Sequence, residues 1–328
     1  MELLHIISQN LLTPAVLFFA LGVAAGIVKS DLDVPESISR YLAIYLMMAI
    51  GFKGGVAVAL TPEISHTMIL TMLAGVIIGF IQPFIGYALL KGTTKLDSPT
   101  AAAVAAHYGS ISMVTFAAAS AFLISHEVAF AGYIVAVLAL MEAPAILAGL
   151  FIAHRTAPQT RSHKAEEKKL SREIFTNGAI LLLFGSFVIG WATGQSGMDK
   201  MEGFLVTPFQ GVLALFLLDM GLLVAKNLHN LRQFTWPLVL FGLYMPMIGA
   251  GIGLAASAAI GLDVGTGMLF TVLTASASYI AVPAAMRLAL PEAKAAIYVP
   301  MSLAIPFPFN VIVGIPIYYT LAQYFLVP

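Results

Sequence analysis

The sequence predicts an all-α polytopic membrane protein with ten transmembrane helices in two inverted five-helix repeats, of which helices 4 and 9 are broken. Three observations lead to this prediction. Of the 328 residues, 60% are hydrophobic and only 10% are charged, against about 45–50% and about 25% in a soluble domain. Apolar stretches of about 20 residues, long enough to cross a bilayer, recur along the chain. Basic residues collect in alternate loops.

Ten apolar stretches follow one another, mostly separated by short loops. Their approximate ranges are 11–29, 38–60, 67–90, 99–123, 128–153, 174–193, 204–225, 235–260, 265–289 and 296–326. The polar, charged segment 154–173 divides the chain into a first repeat, 1–153, and a second repeat, 174–328. No basic segment precedes the first stretch and no small-residue cleavage site follows it, so we interpret it as a retained helix.

The distribution of Lys and Arg predicts the orientation, because cytoplasmic loops are enriched in them. Fourteen of these residues lie in loops on one side, whereas Lys200 lies alone on the other and Lys53 falls within a span. The 154–173 loop is therefore expected in the cytoplasm and both termini outside. Since each half has an odd number of spans, the two halves run in opposite directions, as in inverted-repeat transporters.

Weak internal similarity supports the repeat. Segment 41–60 aligns with 211–230 so that Gly51 stands opposite Gly221, and 109–112 (GSIS) aligns with 275–278 (ASAS). These polar interruptions fall in the fourth stretch of each half, the pattern that marks a transport site. A half-helix N-terminus binds anions, while unwound carbonyls and hydroxyls suit a small hard cation. The hydroxyls come from Ser110, Ser112, Thr115, Ser276 and Ser278; the alternative is close packing of small-residue helix faces.

Glu142 lies near the middle of the fifth stretch, followed by Pro144. A carboxylate at mid-bilayer costs at least about 2.5–3.5 kcal/mol, so its side chain is expected to face the protein interior. It could bind a coupling cation or carry a proton. The alternative is a buried carboxyl that caps amides freed by Pro144 or by the neighbouring interruption.

Four further polar residues lie in apolar stretches. Lys53 and Asp219 are about 13 Å apart in depth at the helical rise, so we predict no salt bridge and expect Lys53 to extend outward and Asp219 inward. His107 is interpreted as a satisfied core residue or a proton-coupling group. Asn310 is expected to pack, to satisfy backbone groups or to reach the site.

Several function classes are excluded by what the sequence lacks. It contains no phosphate-binding loop, nucleotide fingerprint, metal triad or Ser/His/Asp arrangement in a plausible context. Its net charge of zero argues against a nucleic-acid partner, and without cysteine there is no disulfide or thiolate site. We therefore expect neither an enzyme nor an ATP-driven pump, and no cofactor beyond a coupling ion.

The chain resembles the sodium-dependent bicarbonate transporter family over nearly its full length. The resemblance rests on the order of the motifs Pro35-Glu36-Ser37-Ile38, Gly51–Gly55 (GFKGG), Tyr108–Ser112 (YGSIS) with Thr115, Glu142–Ala145 (EAPA), Ala275–Ile280 (ASASYI) with Pro283, and the Tyr298–Gly314 stretch. It implies sodium-coupled uptake of bicarbonate or a similar small anion, with the anion between broken helices 4 and 9 and sodium nearby. It also implies a bacterial inner-membrane protein.

The resemblance further implies a gate domain (1–60 with 174–225), a core domain (67–153 with 235–328), a homotrimer with elevator motion, and a cytoplasmic regulator similar to nitrogen-regulatory signalling proteins. Residues expected to bind the anion are Gly109, Ser110, Ser112, Ser276, Ser278 and Tyr279. Residues expected at the cation site are Ser112, Thr115, Glu142 and Ser278, with a direct sodium site at Ser112, Thr115 and Ser278.

The sequence departs from the family pattern at two positions in the second interruption. Bicarbonate-carrying members have an Asp after the second Ser cluster and a Gly before the Pro, where this chain has Tyr279 and Val282. Our hypothesis is that Glu142 partly replaces the missing charge. Two alternatives stay open: a proton-coupled carrier of an organic solute that uses Glu142 and His107, and a receptor-like membrane protein without transport.

Overall fold

The computed structural model describes residues 2–60, 65–156, 178–228, 234–279, 282–283, 286, 290 and 292–326. Most of the 154–173 linker, together with Arg232 and Arg287, lies outside these ranges. The α-helices within them are α1 (Glu2–Leu11), α2 (Pro14–Ile27), α3 (Glu36–Ala59), α4 (His66–Thr93), α5 (Ser98–Gly109), α6 (Met113–Ser125), α7 (Ile134–Thr156), α8 (Gly178–Met201), α9 (Phe209–Leu228), α10 (Trp236–Ile260), α11 (Val264–Ala275), α12 (Ala295–Leu303), α13 (Pro306–Phe309) and α14 (Ile315–Phe325). The described ranges also contain two π-helical turns, Glu202–Val206 and Asn310–Gly314.

The described part of the chain is all-helical, which confirms the predicted class. It contains seven helical segments long and apolar enough to cross a membrane: Glu36–Ala59, His66–Thr93, Ser98–Ser125, Ile134–Ala153, Phe209–Leu228, Trp236–Ile260 and Ala295–Phe325. Helices α2 and α11 are apolar but shorter. One face of α4 exposes Leu70, Leu73 and Ile77 by 49%, 53% and 54%, as expected for a helix that contacts lipid. The chain is an integral membrane protein.

Helices α2, α3, α8 and α9 form two tightly packed pairs, α2 with α9 and α3 with α8. Glycines permit the close approach in both pairs. A Cβ on Gly51 in α3 would overlap the Leu183 carbonyl oxygen in α8, and a Cβ on Gly221 in α9 would overlap the Phe19 carbonyl oxygen in α2. Each glycine of the predicted repeat therefore packs against the first predicted span of the other half.

Helix α5 begins at a side-chain cap and runs through the protein interior. Asp97 Oδ1 accepts a hydrogen bond from the Thr100 amide at 2.8 Å, and such a cap satisfies one of the amides that a helix start leaves free. The Thr100 hydroxyl oxygen accepts the Lys294 amide at 3.1 Å. Ala101–Ala106 are fully buried because α5 packs between α4, α7 and α12.

Helix α11 begins in the same way. Asp263 Oδ1 accepts the Thr266 amide at 2.9 Å, and the Thr266 hydroxyl oxygen accepts the Ala131 amide at 2.8 Å. Both helices therefore begin with an Asp cap. In both, the Thr three residues later accepts a hydrogen bond from a backbone amide of the other half of the chain, just before α12 in one case and just before α7 in the other. These contacts fix the depth at which α5 and α11 end.

Candidate functional site

The first predicted interruption separates α5 from α6. Helix α5 ends at Gly109, and Ser110 is extended at φ −95° and ψ 174°. Ser112 is also extended, and α6 begins after it at Met113. The Ser112 hydroxyl oxygen accepts hydrogen bonds from the Thr115 amide at 3.2 Å and the Thr115 hydroxyl at 2.9 Å. The first turn of α6 therefore points its amides at the interruption.

The second interruption follows α11. Ser276 is extended at φ −90° and ψ 169°, within a few degrees of Ser110. Residues 276–278 are not helical, and Val282 and Pro283 are helical again. Ile280 lies outside the described residues. Ser276 and Ser278 are almost completely buried.

Direct hydrogen bonds join the two interruptions. The Ser112 amide donates to Ser276 Oγ at 2.9 Å, and the Ser278 amide donates to the His107 carbonyl oxygen at 2.9 Å. His107 Nδ1 pairs with the Ser278 carbonyl oxygen; since a carbonyl only accepts, Nδ1 must carry the proton. The two polar segments thus meet in the protein interior, 164 and 171 residues apart in sequence.

Amide side chains satisfy the free carbonyls at the end of α11. Gln82 Nε2 donates to the Thr274 carbonyl oxygen at 2.7 Å, and Asn310 Nδ2 donates to the Ala275 carbonyl oxygen at 3.0 Å. The Tyr318 hydroxyl orients Asn310 by donating to its Oδ1 at 2.7 Å. Asn310 therefore satisfies backbone groups, one of its three predicted roles. Gln82 was not predicted, although a lone amide before Pro83 in an apolar helix was a usable signal.

A cavity of about 10 Å³ lies beside the junction, with room for about one water-sized particle. Its lining combines both interruptions with side chains from α3 and α7, namely Met47, Ile111, Ser112, Met113, Glu142, Ser278 and Tyr279. Glu142 is only 3% exposed, and its Oε2 has no hydrogen-bond partner among the described residues. Because an uncompensated buried carboxylate is costly, this atom is expected to bind a cation or a proton.

The residues expected at the cation site are not equally suited to it. Ser112 Oγ already accepts two hydrogen bonds, which occupy both lone pairs. It therefore offers a donor to an anion, and it could bind sodium only after the Thr115 hydroxyl turns away. The Glu142 carboxylate and the carbonyls of the extended segments are oxygen ligands of the kind that hard cations prefer. No group of three His, Cys, Asp or Glu that could hold a metal occurs in the described ranges.

The remaining predicted anion-binding residues lie around the junction, but only some of them line the cavity. Ser110 Oγ is buried and has no hydrogen-bond partner among the described residues, and Ser110 does not line the cavity. Gly109 lies against Gly79 and Pro83, which leave no space for a side chain. Tyr279 lines the cavity and packs edge-on against Phe307, with 5.4 Å between ring centroids. Its hydroxyl interacts with the Ser112 side chain, but it has no hydrogen-bond partner among the described residues.

Comparison with protein families identifies the chain. The family model for the Na⁺-dependent bicarbonate transporter superfamily matches residues 14–323. The chain belongs to this superfamily. Membership confirms the resemblance and supports a permease rather than an enzyme. Among curated proteins, none matches the chain significantly. The superfamily match covers both interruptions, so the junction lies inside the part of the chain that defines the transporter.

Proposed function

We propose that this superfamily member is a secondary active transporter that couples the uptake of bicarbonate or a similar small anion to sodium. The observation that carries the proposal is the hydrogen-bonded junction of the two interruptions beside the unpartnered carboxylate of Glu142. Amides at the start of α6 and the free Ser112 proton suit an anion. The carboxylate suits the coupling cation, and anion and cation then neutralise each other away from lipid.

We further propose the ten-helix inverted repeat with broken helices 4 and 9. The matching Asp caps of α5 and α11, with their reciprocal Thr contacts, support it. So do the extended Ser110 and Ser276, whose backbone angles differ by only a few degrees. A shared ancestral half explains these agreements more simply than chance does.

An elevator mechanism fits the way in which the helices group. Helices α2, α3, α8 and α9 pack mainly with one another, whereas α4, α5, α7, α10 and α11 form the frame around the junction. We propose that the second group, with the ions, slides against the first, which corresponds to the predicted gate domain. The homotrimer and the cytoplasmic regulator stay predictions from the resemblance.

Labelled bicarbonate uptake into proteoliposomes tests the proposal. We expect uptake to follow an inward sodium gradient, and not an equal potassium gradient. Glu142→Gln is expected to reduce sodium-driven uptake at least about tenfold, because it removes the charge that offsets the cation. Glu202→Gln, at an exposed position, is the control and should leave uptake unchanged. Unaltered sodium dependence in Glu142→Gln would remove Glu142 from the cation site.

A proton-coupled carrier is the second candidate, favoured by one observation. Both Glu142 Oε2 and His107 Nε2 are buried without a partner among the described residues, and either atom can take up a proton. Uptake that follows a pH gradient at constant sodium would select this candidate. Ligand-induced heat stabilisation without any flux would instead indicate the receptor-like alternative.

A further inference from the structure

A second pocket lies between α3 and α6, farther along α6 from the junction. Its lining is mostly apolar, and Lys53, Ser120 and Gln195 are its polar side chains. Its volume is about 290 Å³, and its lining includes Lys53, Phe116, Ser120, Gln195 and Phe209. It is large enough for a hydrated inorganic ion, whereas the cavity at Glu142 holds only one particle of water size.

Lys53 supplies an uncompensated positive charge to this pocket. Among the described residues it forms no ion pair, and its ammonium lies 4.5 Å from the centroid of the Phe209 ring. A ring face attracts the cation but does not neutralise it. Asp219 does not pair with Lys53 and instead interacts with Ser39, in agreement with the prediction from depth. An ammonium within a span that has no carboxylate partner indicates a binding function.

The two cavities are adjacent along the same helix faces. On α3, Met47 lines the small cavity and Ile50, Lys53 and Gly54 line the larger pocket. On α6, Met113 lines the former, and Phe116 and Ser120 line the latter. The six residues from Met47 to Lys53 correspond to about 9 Å of helix. The two cavities therefore follow one another along α3 and α6, as expected for two stations on one route.

We propose that the Lys53 pocket is an antechamber that binds a small inorganic anion before it reaches the junction. Lys53 provides the charge. The Ser120 hydroxyl donates to the Phe116 carbonyl oxygen at 2.9 Å and Gln195 Nε2 donates to Asp199 at 2.7 Å, so Lys53 is the group that would hold the anion. As a part of transport, the antechamber rests on the proposed function. As an anion-attracting pocket, it can be tested without any transport. The ligand class is a monovalent oxyanion such as bicarbonate.

Thiol labelling measures the charge in the pocket directly, because the chain contains no cysteine. Single cysteines are introduced as Ser120→Cys and, at the exposed Gln195, as Gln195→Cys. The purified protein is treated with sulfonate-bearing and with trimethylammonium-bearing methanethiosulfonates. We expect Lys53→Gln to slow the anionic reagent about tenfold and to speed the cationic one, since a fixed charge raises the local concentration of counter-ions. Lys53→Arg should retain the preference.

Lys200→Gln is the matched control, since it removes an exposed lysine from the same predicted side. Its labelling rates should equal those of the parent cysteine variants. The inference is overturned if Lys53→Gln leaves the anionic rate unchanged in both cysteine variants. It is equally overturned if neither cysteine reacts, because an antechamber must be reachable from water.

Flux separates the inference from the proposed function. If the pocket delivers the anion, Lys53→Gln should raise the KM for bicarbonate about tenfold while uptake at saturation is retained. If the wild type transports bicarbonate but Lys53→Gln changes neither the labelling rates nor the KM, the antechamber is contradicted and the proposed function is not. Charge-dependent labelling in a protein that carries neither bicarbonate nor another small inorganic anion supports the anion pocket and contradicts the proposed function.

Discussion

The two interruptions follow similar helices and have similar backbone angles, but they differ in the hydrogen bonds that their polar groups form. Ser276, in the second, accepts the Ser112 amide and donates to the Leu273 carbonyl oxygen at 3.0 Å. Ser110 stands at the equivalent position of the first, and its hydroxyl has no partner among the described residues. Amide side chains satisfy the carbonyls that end α11, whereas α5 ends against Pro83 and Gly79.

This difference suggests a division of work between two related halves. In the second interruption, Ser276 and the carbonyls that end α11 are all hydrogen-bonded, so they are suited to hold the junction in place. The first keeps an unpaired hydroxyl at Ser110, the free Ser112 proton and the neighbouring Glu142 carboxylate. If the proposed function holds, we therefore expect most ligand-binding groups in the first half, with Ser278 and Tyr279 of the second half completing the cavity.

The largest expected effect comes from filling the contact between α10 and the end of α11. A Cβ on Gly249 would overlap the Thr274 carbonyl oxygen, which belongs to rigid backbone. We expect Gly249→Ala to cost about 3 kcal/mol of stability, at the upper end of overpacking effects. In the first half, a Cβ on Gly79 would lie 3.1 Å from the Met141 carbonyl oxygen, so Gly79→Ala should cost less. Heat denaturation in detergent measures both.

Gly251 provides the control for this prediction, since no described atom beyond its chain neighbours and its own turn of helix backbone lies within 4 Å of a Cβ placed there. Gly251→Ala should be neutral or slightly stabilising, because alanine is the better helix former. Equal losses of stability for Gly249→Ala and Gly251→Ala would show that the close contact between Gly249 and Thr274 does not hold the second interruption in place.

How far the sequence predicts this arrangement depends on the range of the interactions. Apolar length predicted some helices closely, since stretch 235–260 corresponds to Trp236–Ile260. It overestimated others, since stretches 11–29 and 265–289 overlap the shorter helices Pro14–Ile27 and Val264–Ala275. Local pattern did not separate α1 from α2, which begins only at Pro14. The reason is tertiary: Asn10 Nδ2 donates to the Val311 carbonyl oxygen at 2.9 Å, a contact across 301 residues.

The same limit applies to the site. Two Ser-x-Ser motifs at matching places predicted that 107–115 and 274–283 are related, and hydrogen bonds do join them. Nothing local distinguishes the bonded Ser276 from the unbonded Ser110, because the difference depends on which backbone groups lie opposite. The lone amide of Gln82 was a local signal, but its partner Thr274 could not be predicted from local pattern because it is 192 residues away.

An intermediate effect on stability is expected when each of the two equivalent serines is replaced by alanine. Ser276→Ala leaves the buried Ser112 amide without an acceptor, which should cost about 2 kcal/mol of stability. Ser110→Ala removes a buried hydroxyl that has no partner, so it should be neutral or slightly stabilising. Thermal unfolding of both variants measures the difference. Similar losses of stability in both variants would contradict the inference that Ser276 is hydrogen-bonded and Ser110 is not.

The smallest expected effect concerns the caps outside the membrane-spanning segments. Asp97 has an ion pair with Lys294 at 3.0 Å, whereas no ion pair of Asp263 is found in the described ranges. Partial burial alone would raise the pKa of Asp97, but the Thr100 hydrogen bond and then Lys294 outweigh this and lower it. A lowered pKa stabilises the fold above the unfolded value of about 4 and loses this contribution as pH falls through the folded value.

Asp97→Asn isolates that contribution, because asparagine still caps the helix but cannot be charged. Near pH 7 we expect the wild type to be more stable by roughly 0.2–1 kcal/mol, the range for exposed pairs. The advantage should vanish as the pH is lowered below about 4, when the Asp97 carboxylate becomes protonated. Lys294→Gln should remove only part of it, since the Thr100 bond remains. A stability difference that persists at low pH would show that it comes from the capping hydrogen bond and not from the charge of Asp97. The starts of α5 and α11 would then be stabilised in the same way.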